Sequence, residues 1–418
     1  MQVREVAYLT LSKIFKEKQY SNLALNEAFT KYELNNLDKG FLTNLIYGVL
    51  KKNIYLDYVI KQIASDKKIK NDMRTLLKMS IYQILFMDKV PNYAIINEGV
   101  NLAKSYFGYD ASRFLNALLR KVSSDDFKLV LPSERDEYLS VYYSTPLYII
   151  KMFKKHYGEE NLIKYLEENN LPRVNHLRVN YIKTSKEEML KLPYFKEGSL
   201  SKDGLIYTGK DGLSEVKEIK EGKVVIQDEA SQMVSFLVDP IDNDNILDMT
   251  AAPGSKSFHM ASLNQKCHIT SVDLYEHRIN MLRNKAKLLG IKNINSIVYD
   301  ALKLLDLFKE ESFNKVLLDA PCSGLGVIGR KPDILIQNKQ ESLDEIISLQ
   351  KGLIDVAAKL VKKNGYLIYS TCTLNKKEND LQVDYIISKG YRLINKQTIF
   401  NFEYHSDGFF MAKLERIE

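Results

Sequence analysis

The chain has 418 residues, 45% hydrophobic and 27% charged, with a formal net charge of +7; that length allows two or three domains with more than one core. No apolar run approaches bilayer length and Met1-Gln-Val-Arg-Glu lacks a signal-peptide core, which excludes a membrane protein and leads us to expect a cytoplasmic one. Three cysteines, Cys267, Cys322 and Cys372, exclude a disulfide framework and match no zinc spacing, and the histidines form no metal pattern, so free thiols and no metal are expected.

Residues 1–128 read as helices throughout. Val6, Leu9, Leu11, Ile14 and Phe15 recur at helical spacing, as do Leu42, Leu45, Ile46, Val49 and Leu50. Pro91 opens a further helical run, and Ser123-Ser-Asp-Asp126 with Pro132-Ser-Glu reads as a linker. Residues 137–230 read as a small α+β module. His176-Leu-Arg-Val-Asn180 and Gly222-Lys-Val-Val-Ile-Gln227 alternate like strands, Ser185–Leu190 reads as a short helix, and Gly204, Gly209 and Gly212 punctuate turns.

Residues 231–418 alternate strands and helices. The strands are expected at 245–248, 268–273, 295–299, 315–319, 365–370, 392–396 and 409–414. Helices are expected at 255–263, 275–289, 343–361 and 377–388. This alternation predicts a doubly wound α/β sheet with ligands at the carboxyl ends of its strands. Asp248, Asp273, Asp300, Asp319 and Cys372 all fall at such ends.

The stretch Thr250, Ala251, Ala252, Pro253, Gly254, Ser255 and Lys256 turns from the first of these strands into a helix. Its small residues admit a ligand to the backbone, where unsatisfied N–H groups wait. The Gly-x-Gly-x-x-Gly spacing of dinucleotide enzymes is absent. Asp273 suits ribose hydroxyls and Asp300 an adenine amino group. Four strand-end carboxylates repel a triphosphate but tolerate a sulfonium, which favours S-adenosyl-L-methionine over ATP or NAD. Any one of these aspartates taken alone more often caps a helix or a turn than touches a ligand; it is their joint placement that points to a cofactor.

Pro321-Cys322-Ser-Gly-Leu-Gly and Ser370-Thr-Cys372-Thr put two thiols in polar or small-residue loops. A thiolate that adds to C6 of a pyrimidine turns C5 into a nucleophile able to take an electrophilic methyl group. Lys256 and Asp319 are candidates for positioning the base and handling protons. Spacing alone does not say which cysteine attacks. Cys267, on no motif, reads as a small core residue. Arg178, Arg330 and Lys331 are candidates to meet phosphates.

Asp248-Met-Thr-Ala-Ala-Pro-Gly-Ser-Lys256, Asp319-Ala-Pro-Cys-Ser-Gly-Leu-Gly326 and Ser370-Thr-Cys-Thr373 resemble motifs I, IV and VI of the RNA cytosine-C5 methyltransferases. Asp407-Gly-Phe-Phe-Met-Ala-Lys-Leu414 resembles that family's last strand, and Arg113-Phe-Leu-Asn-Ala-Leu-Leu-Arg120 resembles a NusB-like domain. The resemblance implies a multi-domain chain: an all-α NusB-like RNA-binding domain, a small α+β RNA-binding module and a Rossmann-like class I S-adenosylmethionine-dependent methyltransferase domain. It implies that Cys372 is the nucleophile and that Cys322 assists release of the methylated base. It also implies that Thr250–Lys256, Asp273, Asp300 and Asp319 contact the cofactor, with Arg278 in support. The substrate it implies is 16S rRNA or a small-subunit assembly intermediate, met by a monomer. The competing readings are an enzyme acting on tRNA or another rRNA site, an amino-group methyltransferase, and a non-catalytic antitermination-type RNA-binding factor.

Overall fold

Helical periodicity in the first part of the chain becomes a helical unit. The computed structural model describes residues 2–65, 67–88, 90–337 and 343–418. Helices Val3–Glu17, Ser21–Lys31, Asn36–Lys51, Asn53–Ala64, Asn71–Phe86, Asn92–Phe107 and Tyr109–Val122 turn their apolar faces onto one core that includes Leu11, Leu45, Leu76 and Leu119. Each such side chain, withdrawn fully from water, contributes roughly 1.5–3 kcal/mol.

This unit runs on to Asn170, past the expected limit at 128. Residues 137–170, read as the start of the α+β module, are helices Arg135–Tyr142 and Leu147–Asn170, the latter kinked at Gly158. Their buried Ile149, Ile150, Phe153, Leu162 and Leu166 explain the difference. The unit also takes in residues 328–337. There Asp333 is buried and accepts hydrogen bonds from the backbone N–H (3.3 Å) and hydroxyl (2.7 Å) of Ser21, while Ile336 packs against the helical core.

The second unit holds residues 171–327 and 343–418. Strands β1 (Asn175–Val179), β2 (Phe195–Glu197), β3 (Gly204–Tyr207) and β4 (Val224–Ile226) form an antiparallel sheet in the order β2-β3-β1-β4. Gly204, read as a turn residue, instead opens β3.

A seven-stranded sheet follows: β5 (Asn245–Asp248), β6 (His268–Asp273), β7 (Ile294–Val298), β8 (Phe313–Asp319), β9 (Val361–Thr371), β10 (Tyr391–Ile399) and β11 (Phe409–Arg416), ordered β10-β11-β9-β8-β5-β6-β7. Strands β5 to β9 are parallel, and β11 runs antiparallel between β9 and β10. The central strands bury both faces, which is why they read as continuous apolar runs. Leu247, Val316 and Leu367 enter one core and Ile246, Leu317 and Ile368 the other. The order reverses between β5 and β8, so the crevice of a doubly wound sheet lies at the carboxyl ends of those two strands.

Candidate functional site

At that crevice β5 ends in Asp248, a buried carboxyl that accepts a hydrogen bond from Ser257 Oγ at 2.6 Å. Burial pushes its pKa up to about 7. Met249 to Gly254 then turn into helix Ser255–Leu263. Ala251 N–H donates to Val272 O of β6 (2.8 Å), and Thr250 Oγ1 donates to Asp319 O of β8 (2.8 Å), so the loop is stitched to both neighbouring strands. Gly254 has φ +107°, and a Cβ there would lie 2.4 Å from the Phe258 ring. Only glycine meets both demands.

Asp273 ends β6 and Asp300 follows β7, on adjacent strands paired Asp273↔Val298. Asp273 Oδ1 accepts Tyr275 N–H (3.1 Å), and its Oδ2 pairs with Arg278 Nη1 (3.1 Å). Arg278 Nη2 also donates to Ala252 O, tying this carboxylate to the 250–256 loop. Asp300 caps the 3-10 helix Ala301–Asp306 through Leu302 N–H (3.0 Å) and remains partly exposed. It therefore plays the capping role any strand-end aspartate can play.

Asp319 ends β8 and is the hub of the crevice. Its Oδ2 lies 2.6 Å from Lys256 Nζ and its Oδ1 accepts Ser370 Oγ at 2.8 Å. Burial alone would depress the Lys256 ammonium, but attraction and hydrogen bonding to Asp319, then attraction to Cys372 and Asp248, outweigh it and raise its pKa. Lys256 thus stays charged, with its Nζ 5.1 Å from the centre of the Phe409 ring.

Cys322 follows β8 and Cys372 follows β9, whose register pairs Asp319 with Ser370. The two sulfurs are 3.3 Å apart, and both residues are partly exposed. The hydrogen bond with Cys372, then burial, holds the Cys322 thiol well above its ordinary pKa. Either sulfur can donate in this contact. Gly326 permits the approach: its N–H donates to Cys372 O (2.9 Å), its O accepts Gly408 N–H (2.8 Å), and a Cβ there would meet Gly408 O at 1.9 Å. By contrast Cys267 is buried, and that burial pushes its thiol up to about 11.

The expected cofactor and catalytic residues sit in the second unit: Lys256 and Thr250 bond to Asp319, the two cysteine sulfurs meet each other, and Asp273 connects to the loop through Arg278. Arg178 departs from expectation. Instead of meeting phosphate it is buried on β1, donating to Gln227 Oε1 (2.9 Å), Val179 O (3.1 Å) and Ser262 Oγ (3.1 Å). Lys331 is exposed and Arg330 half-buried, both in the helical unit. Sequence reading missed Ser323, Ser370, Thr373, Asn375 and Glu378, which hold the cysteine loops. Ser323, Ser370 and Thr373 stand inside the two cysteine runs, whereas Asn375 and Glu378 lie in the polar stretch Asn375-Lys-Lys-Glu-Asn-Asp380, which carries no signal of its own.

A family model for NusB matches residues 1–124, and one for the 16S rRNA methyltransferase RsmB/F matches residues 235–415. The chain is 34% identical to the probable ribosomal RNA small subunit methyltransferase B of Bacillus subtilis (strain 168), over 90% of this chain and 86% of the relative. It is 31% identical to the protein of the same description from Synechocystis sp., over 99% of both. The crystal structure of PH0851 superposes with a TM-score of 0.84 at 26% identity, covering 98% of this chain and 97% of that one.

Proposed function

Because this chain belongs to the ribosomal RNA small subunit methyltransferase B family, we propose that it transfers a methyl group from S-adenosylmethionine to C5 of a cytidine in 16S rRNA through a covalent bond from Cys372 to C6. Membership in a methyltransferase family removes the non-catalytic RNA-binding alternative. The observation that carries the reading is the pair of thiols 3.3 Å apart beside the Lys256–Asp319 ion pair.

The crevice suits the cofactor. The side-chain-free Gly254 leaves the loop backbone approachable, Asp273 offers acceptors for ribose hydroxyls, and Asp300 offers one for an adenine amino group. The bound cofactor supplies an electrophilic methyl group.

The protein's residues do the rest. The Cys372 thiolate adds to C6, forming S–C6 and pushing the C5=C6 pair through C4 to N3, which takes a proton from the Lys256 ammonium while Asp319 and Lys256 orient the base. C5, now nucleophilic, gains the methyl group. Cys322 passes its thiol proton to the Lys256 amine and, as the second sulfur within reach, removes the C5 proton as a thiolate, while N3 releases its proton to solvent as the product forms. Loss of Cys372 then restores C5=C6 and frees the product. The substrate in this reading is 16S rRNA or a small-subunit assembly intermediate in the cytoplasm, bound by a monomer.

Cys372→Ala is expected to abolish methylation while cofactor affinity, measured by calorimetry, stays within about two-fold, since the loop that binds it is untouched. Cys322→Ala is expected to trap a protein–RNA adduct, seen as a slow band on a denaturing gel. Methylation by Cys372→Ala at the wild-type rate would overturn the assignment.

A further inference from the structure

Two thiols on separate loops must keep a fixed spacing while a base enters and leaves. The β8–β9 ladder aligns the strand ends, but Cys322 and Cys372 lie beyond it. One buried carboxylate spans that gap. Glu378 is fully buried, with Oε1 accepting Ser323 N–H at 2.8 Å and Oε2 accepting Ser323 Oγ at 2.5 Å and Asn375 Nδ2 at 3.1 Å. Ser323 adjoins Cys322, and its hydroxyl lies 2.8 Å from Thr373 Oγ1, which adjoins Cys372. Gln350 Nε2 reaches Glu378 Oε1 (3.4 Å) and also Pro321 O (2.9 Å), the residue on the other side of Cys322. The Glu378 carbonyl accepts the Tyr369 hydroxyl at 2.7 Å, fixing the clasp to β9.

These donors are all neutral, and burial raises the Glu378 pKa. A group of this kind is expensive to bury, and an apolar residue of similar size would pack at lower cost. We propose that Glu378 is a positioning residue that clasps the loops of Cys322 and Cys372 and sets the spacing of the two thiols for methyl transfer. This rests on the two-cysteine reading above.

The test uses full-length Glu378→Ala and Glu378→Gln, with kcat and KM for 16S rRNA, cofactor Kd and melting temperature measured together. A thiol misplaced by about 1 Å costs on the order of 10²-fold in rate, so Glu378→Ala is expected to lose about that much kcat with KM and Kd changed less than about two-fold. Glu378→Gln keeps an acceptor for the Ser323 amide and is expected to recover to within about ten-fold of wild type. Wild-type kcat in Glu378→Ala overturns the proposal. So does a joint collapse of kcat, KM and Kd that Glu378→Gln fails to rescue, which would mark Glu378 as a fold support only. If Glu378→Ala does not fold, Ser323→Ala keeps the backbone bond and deletes the hydroxyl bridge to Thr373. It is expected to lower kcat about ten-fold at constant KM, and an unchanged kcat overturns the clasp. Cys372→Ala, run beside these, separates the two ideas: its activity sinks the cysteine reading, whereas an inactive Cys372→Ala beside a fully active Glu378→Ala sinks only the role of Glu378.

Discussion

Lys256 lies in the first turn of helix Ser255–Leu263, where the helix dipole disfavours a cation. Asp319 at 2.6 Å compensates, and in the proposed reaction this pair orients the base and handles protons. Lys256→Met is expected to lower kcat by about 10²–10³-fold, as loss of a proton-handling side chain does. Methyl incorporation from labelled cofactor checks this, and an unchanged rate would remove Lys256 from the chemistry. Gly254 offers a test of the cofactor loop. An L side chain at φ +107° is strained by roughly 1–2 kcal/mol before its clash with Phe258 is counted, so Gly254→Ala is expected to weaken cofactor binding about ten-fold or more by calorimetry. Unaltered affinity would move the cofactor elsewhere. The motif residues were legible because each sits in a short run of unusual composition. Glu378 was not, since its meaning comes from Ser323, which is distant in sequence and brought near only by the sheet. Arg178 misled for the same reason: a cation in an alternating strand reads as surface, and only the fold reveals that Gln227 and Ser262 enclose it.

Among elements, the central strands were legible because burial on both faces leaves nearly pure apolar runs such as Val316-Leu-Leu318. The short strands β2 and β3 were not: three and four residues carry too few side chains to show a period, and pairing with distant partners decides them. Helix Leu147–Asn170 did carry helical spacing, but Gly158 at φ +83° interrupts it. Two element-level predictions follow from close contacts. Gly326→Ala forces a Cβ to within 1.9 Å of Gly408 O, so the cysteine loop must shift and kcat is expected to fall by about 10²-fold in the methylation assay. Asp333→Ala strips the buried partners from the amide and hydroxyl of Ser21. It is expected to destabilise the helical unit by about 1–3 kcal/mol in urea denaturation, and a midpoint equal to wild type would contradict that anchor.

For the molecule as a whole, charge and pH give separate readouts. His259 is fully buried with Nε2 2.9 Å from Asp203 Oδ2. Burial, then repulsion from Arg178, lowers its pKa from 6.5 to about 3 despite the Asp203 bond. Between those values the unfolded chain binds a proton that the folded chain refuses. The stabilisation is therefore full above about pH 6.5 and is lost as pH falls toward 3. Wild type minus His259→Gln isolates this slope from other groups; parallel denaturation curves at pH 7 and pH 5 would contradict it. Arg113 and Arg120 are exposed on helix Tyr109–Val122 of the NusB-matching region. If this face meets RNA, Arg113→Glu with Arg120→Glu weakens 16S rRNA binding and flattens its salt dependence while cofactor affinity stays constant. Equal rRNA affinity would deny the helical unit that role. The central claim, methylation at C5 of a cytidine, is reached most directly by tritium release from 16S rRNA transcribed with [5-³H]cytidine. Release that requires S-adenosylmethionine and matches methyl incorporation one for one is the predicted result. Methyl incorporation without tritium release would place the new methyl group on another atom and contradict the account.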